Sequence, residues 1–161
     1  MEIPVTMIRS MPMAHRCAWT DRVGRLILTA DAFPLSLVQL AARIGVAHVF
    51  WQSAQTKLVS WPVTLQLFAY EYRLPILPPD IAAPMATAAE LAGAVMIAIG
   101  LLSRLAALML LGVVATIQIF VYPGHWAEHL MWASLLLLIL ARGAGAFSLD
   151  HLIARFFHGR G

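Results

Sequence analysis

The sequence is poor in cysteine and poor in charge. Its one cysteine, Cys17, rules out an internal disulfide, a CxxC redox pair and a cysteine-based metal site, so any redox role has to borrow its electron carrier. Charged residues make up only 12% of the chain against 61% hydrophobic residues, and the mean hydropathy is +0.80. Those values lie outside the range of a soluble domain and predict an integral membrane protein. A cleavable signal peptide is not expected: residues 1 to 33 carry Arg9, Arg16, Arg22 and Arg25 and hold no sustained apolar core before a small-residue cleavage site. The formal charge of +3 forms no basic face, because the arginines flank apolar runs, and nucleic acid is not an expected partner.

What is abundant is long apolar sequence. A membrane-crossing helix needs about 20 apolar residues, because each adds about 1.5 Å across a hydrocarbon layer of roughly 30 Å. Runs at about 34–57, 81–102, 105–122 and 128–142 meet or approach that length, which predicts an all-α, four-span helix bundle. With both termini inside, eight arginines (Arg9, Arg16, Arg22, Arg25, Arg104, Arg142, Arg155 and Arg160) face the cytoplasm. Only Lys57 and Arg73 then face outward, in agreement with the positive-inside bias. The lipid bilayer is the first expected partner, with self-association left open.

Residues 1–32 mix Met, Pro and Arg without periodicity and read as a mobile cytoplasmic lead-in. Met7, Met11, Met13 and His15 are soft enough to bind copper(I), or are simply incidental. Residues 33–161 form the membrane domain. In the 59–80 connection, Leu65, Phe68 and Tyr72 recur at helical spacing, which predicts a short outer helix lying in the membrane interface and stopped by Pro75, Pro78 and Pro79. Between the second and third spans only Ser103 and Arg104 remain, so those helices form a hairpin. Ser148 is the expected N-cap of a short cytoplasmic amphipathic helix bearing Leu149, Leu152, Ile153 and Phe156 on one face.

Charges inside the apolar runs are the candidate functional residues. Arg43, Ala47, Phe50, Ala54 and Lys57 follow at spacings of four, three, four and three, which puts them on one stripe of the first helix. Facing lipid, Arg43 would cost at least ~2.5 to 3.5 kcal/mol, so it is expected to point into the bundle. Glu90 on the second span is its expected counterion, at a height difference of roughly 7 to 8 Å. Such a pair either fixes helix register or lines a polar site for a quinone headgroup, an anion or a proton path. His48 is expected to be a hydrogen-bonded core histidine.

At the outer end, His125 and His129 stand four residues apart in YPGHWAEH with Glu128 between them. They are a candidate metal site or, alternatively, polar residues of the headgroup layer. Ten of the fifteen aromatic residues, Phe50 and Trp51 among them, fall in the outer half. An aromatic belt explains some of that bias. The remainder suggests an outward apolar pocket under the interfacial helix, suited to an isoprenoid or quinone.

The ordered set R-IGVAHVF-WQSAQT-K from Arg43 to Lys57, E-LAG from Glu90 to Gly93, GLLSR from Gly100 to Arg104 and the closing GAGAFSLDHL resembles the DoxX family of small four-helix bacterial inner-membrane proteins, over about residues 35–155. The family often has glycine at the place of Ala54 and histidine at that of Ser53. The resemblance implies a relation to a small subunit of thiosulfate:quinone oxidoreductase and to membrane complexes handling oxidative, thiol or metal stress. Some members are encoded beside small cysteine-rich peptides, and FAYEYRLPILPP from Phe68 to Pro79 is similar to that subgroup.

Three functions remain in view. The leading one is an accessory subunit of a quinone-linked redox or stress system, binding quinone or a partner enzyme through Arg43, Phe50, Trp51, Lys57 and Glu90. The second is a transporter or export factor for a metal ion or metal-binding peptide, using His125, Glu128 and His129. The third is a ligand-free scaffold. No residue is singled out as catalytic.

Overall fold

The computed structural model describes residues 34–158. The lead-in and its Met7, Met11, Met13 and His15 therefore lie outside the described residues. Six α-helices follow in order: α1 Leu35–Val59, α2 Trp61–Gln66, α3 Pro79–Ile99, α4 Ser103–Thr116, α5 Trp126–Arg142 and α6 Leu149–His158. Two of them run on without a break into wider π-helical segments, α2 into Leu67–Tyr72 and α4 into Ile117–Val121. No strand occurs among the described residues.

Prolines and a glycine set the boundaries. Pro62 stands in the first turn of α2, after Ser60 in extended conformation. Pro79 opens α3 behind an extended Pro78. There the missing N–H would have had no helical partner and the fixed φ is already that of a helix. α3 ends where Gly100 adopts φ 72°, a left-handed conformation that glycine reaches without a Cβ clash. Leu102 follows at φ 46° and α4 begins at once, so α3 and α4 form an antiparallel hairpin.

Each long helix packs on two others: α1 on α3 and α5, and α4 on α3 and α5. Their shared core contains Val46, Phe50, Ile97, Leu110, Leu136 and Ile139. Small residues let the backbones close up. A Cβ at Gly93 would stand 2.6 Å from Leu110 Cδ2, so α3 and α4 approach closer than an alanine would comfortably allow. Large apolar side chains such as Ile44, Leu105, Ile119 and Leu130 are exposed on the outside. α3, with 21 residues, and Ser103–Val121, with 19, are long and apolar enough to cross a membrane. α1 has the length but carries Gln39, Arg43, His48, Gln52 and Lys57, while α5 has 17 residues.

Two accessory pieces close the ends. Phe68, on the π-helical extension of α2, is buried against Ala82 and Ala83 with Leu65 and Tyr72 beside it, so this segment folds over the start of α3. At the other end, Ser148 Oγ accepts the His151 amide at 3.1 Å and caps α6. The Asp150 carboxylate accepts the amides of Leu102 (2.7 Å) and Ser103 (2.9 Å), which otherwise have no partner at the start of α4. Leu152, Ile153 and Phe156 of α6 are exposed.

Candidate functional site

Arg43 is 1% exposed and is held entirely by backbone oxygen. Nε donates to Ile97 O (2.9 Å) and Nη2 to Ala98 O (2.7 Å), both in the last turn of α3. Nη1 donates to Ala144 O (3.0 Å) and Phe147 O (2.6 Å) in the connection between α5 and α6. The end of a helix exposes carbonyls and carries partial negative charge, so a forked cation satisfies both at once. Beside it, Gln39 Nε2 donates to Gly143 O at 3.1 Å. Arg43 therefore joins α1, α3 and the segment before α6.

The expected pairing of Arg43 with Glu90 does not form. Helical side chains lean toward the N-terminus of their own helix, so both cations of α1 lean toward its Leu35 end. That takes Arg43 to Ile97 and Ala98, seven and eight residues past Glu90 or about 10 to 12 Å along α3. The same lean delivers Lys57 to Glu90. Lys57 Nζ donates to Glu90 Oε2 (2.7 Å), Glu90 Oε1 (2.9 Å) and Ser53 Oγ (2.8 Å). The Glu90 side chain is 2% exposed and that of Lys57 14%.

This pair stands in the wall of a cavity of about 580 Å³ under the α2 extension. Its other walls include Phe68, Tyr72, Met85, Met109, Val113 and Trp132. His125, Glu128 and His129 also line it, so the structure brings Lys57 and Glu90 together with all three candidate metal ligands. A chain of ring contacts runs along it: Phe68 to Tyr72 (4.9 Å between centroids), Tyr72 to Tyr122 (5.9 Å), Tyr122 to His125 (5.4 Å), His125 to His129 (6.3 Å) and His129 to Trp132 (5.3 Å). Buried Gln118, on the π-helical extension of α4, accepts from His129 Nδ1 and donates through Nε2 to Pro123 O (2.8 Å). That leaves the lone pair of a neutral His129 on Nε2.

At the mouth, Tyr122 Oη donates to Glu71 Oε1 at 2.6 Å and ties the roof to the end of α4. The Glu71 carboxylate holds the Tyr122 phenol above its usual range. Burial does the same for Tyr72.

Three expected members of the site stand elsewhere. Arg43 belongs to the opposite end. Phe50 is a core residue, 2% exposed, whose ring meets Trp132 edge-on at 6.3 Å from below the cavity. Trp51 is 44% exposed on the outside of α1. His48 is exposed too, not a core histidine, because one residue past Ala47 turns it about 100° off the buried stripe. His125, Glu128 and His129 do not converge as a metal centre. No group of three His, Cys, Asp or Glu side chains among the described residues can hold a metal ion. His129 Nδ1 is committed to Gln118, and His125 Nδ1 lies 3.8 Å from Glu128 Oε2 with both side chains exposed. The contact of Ser53 with Lys57, the role of Gln118 and the Tyr122–Glu71 link are not among the sequence expectations. Ser53 stands four residues before Lys57 and Gln118 four residues after buried Val114, so helical spacing alone places both on inward stripes.

The DoxX family model matches residues 38–123, more than half of the chain, including all but the first three residues of α1, the roof segment, the α3–α4 hairpin and Gln118. No curated protein and no solved structure matches the chain.

Proposed function

The chain belongs to the DoxX family of membrane proteins, and from that premise we propose that it is a four-span bundle of a bacterial inner membrane, with both termini cytoplasmic, serving as an accessory subunit of a quinone-linked redox or stress system. The observation that carries this reading is the outer cavity. It has the volume of a cofactor site and mostly apolar, ring-rich walls, with a buried Lys57–Glu90 pair and a histidine as convergent polar groups. The exposed apolar side chains around α3 and α4 support the spanning arrangement.

The residues present fit a quinone ring. Tyr72, His125 and Trp132 offer flat faces and edges for stacking, Met85, Met109 and Val113 exclude water, and a ring oxygen would take the Lys57 proton now given to Ser53 Oγ while Glu90 holds the ammonium in place. His129 presents Nε2 as a proton acceptor, its ring fixed by Gln118. A bound quinone would supply reversible uptake of electrons and protons, and a partner enzyme would supply the electrons. Arg43 takes no part in this chemistry and does the work assigned to a scaffold.

Lipid extracts of the detergent-purified protein test the reading. A co-purifying quinone is expected, together with quenching of tryptophan emission by an added short-chain quinone that weakens in Trp132→Phe. No quinone in the extract and no change in emission would remove the proposal.

A further inference from the structure

A second cleft, of about 840 Å³, opens at the opposite end of the helices, between the start of α1, the start of α4, the end of α5 and the start of α6. Arg104 and Arg142 both line it, and both are exposed. Arg104 Nε lies 3.9 Å from where a Cβ on Gly143 would stand, directly beside Arg142 in the chain. Neither arginine has an ion-pair partner among the described residues. In the same wall stands Ser103, 0% exposed, whose Oγ is the one buried side-chain polar atom among the described residues without a hydrogen-bond partner. A buried hydroxyl left unpaired is costly, and the two guanidinium groups that line this cleft make no ion pair, the nearby Asp150 carboxylate being taken up by the amides of Leu102 and Ser103. One oxyanion with several acceptor oxygens would answer all three groups.

We propose that this cleft binds the phosphate of an anionic phospholipid headgroup through Arg104, Arg142 and Ser103. Lipid is favoured over a free anion by what adjoins the cleft. α6 starts at its edge, pinned there by Asp150, and exposes Leu152, Ile153 and Phe156, an apolar surface for the acyl region next to a cationic one for the headgroup. The Asp150 carboxylate already occupies the amides at the start of α4, so the ligand is held by side chains and not by the helix terminus. The site lies at the other end of the molecule from the ring cavity and stands or falls independently of it.

The test uses the full-length protein purified in detergent with added phosphatidylglycerol or phosphatidylcholine, and reads lipid retention by native mass spectrometry. Wild type should retain phosphatidylglycerol selectively. Arg104→Gln with Arg142→Gln should retain about thirtyfold less, as loss of two cations near a charged headgroup implies. Ser103→Ala loses no protein partner, so it should fold as wild type by circular dichroism and still retain less phosphatidylglycerol. This variant keeps the test valid if the double variant fails to fold. Equal retention of phosphatidylglycerol by wild type and Ser103→Ala, or equal retention of the two lipids by wild type, would overturn the proposal. Displacement of the lipid by millimolar inorganic phosphate would overturn the assignment to lipid in favour of a free phosphate.

Discussion

A double-mutant cycle on Lys57 and Glu90 separates helix register from ligand binding. In Lys57→Met, the Glu90 carboxylate, 2% exposed, loses both of its hydrogen bonds from Lys57 Nζ and the one cation that pairs with it among the described residues. Removing one partner of a buried ion pair costs roughly 3 to 5 kcal/mol, because the remaining charge is left uncompensated. Glu90→Met leaves the Lys57 ammonium without its anion, but the Lys57 side chain is 14% exposed and can reach water, so this variant should cost less, about 1 to 3 kcal/mol. Lys57→Met with Glu90→Met removes both charges and fills similar volume, so it should come within about 1 kcal/mol of wild type. The measurement is denaturant unfolding of the purified protein in one detergent, with short-chain quinone quenching recorded on the same four samples. The expected pattern is restored stability with lost binding in the double variant. Single-variant costs that simply add in the double variant would refute the pairing. A double variant that still binds the quinone would confine the pair to helix register.

Two other perturbations probe the ends of the molecule. Arg43→Met leaves four backbone carbonyls on two segments without their donor and should lower stability by about 3 kcal/mol or more. Arg43→Lys should recover only part of this, since a single ammonium cannot reproduce the fork, and quinone quenching in folded Arg43→Lys protein should be unchanged. At the roof, the Tyr122 phenol is held above the ordinary value of 10.0 mainly by its hydrogen bond to Glu71. Its contribution should therefore be complete below about pH 10 and fade as pH rises through the elevated folded value. Tyr122→Phe should be less stable than wild type at neutral pH and lose less on alkaline titration, as followed by thermal unfolding. Identical pH profiles for the two proteins would refute the link.

The positions of the long helices were legible in the apolar runs, and the stripe through Arg43, Phe50 and Lys57 followed from helical spacing alone. The pairing across helices was not. Comparing residue heights along two axes ignores the lean of each side chain toward the start of its helix, and that lean decides that Lys57 and not Arg43 reaches Glu90. A pocket at one end of the helices was foreshadowed by the bias of aromatic residues to that end, where ring contacts from Phe68 to Trp132 form a wall. Gln118 stands four residues after buried Val114, so its direction follows from helical spacing, but an uncharged amide does not stand out in an apolar run. His125, Glu128 and His129 matched a metal spacing, but spacing says nothing of competing partners, and Gln118 engages one imidazole nitrogen first.

The placement of Arg43 also bears on the order in which the polypeptide is assembled. Its acceptors are supplied by residues 54 to 104 positions further along the chain. On the four-span reading, α1 leaves the ribosome before any of the four carbonyls that hold its guanidinium, and the first two exist only once α3 has been made. The second half of its acceptors arrives only when the stretch beyond α5 emerges. A newborn first helix would thus be poorly suited to resting alone among acyl chains, and would have to wait at the translocon or near the headgroups until its successors join it.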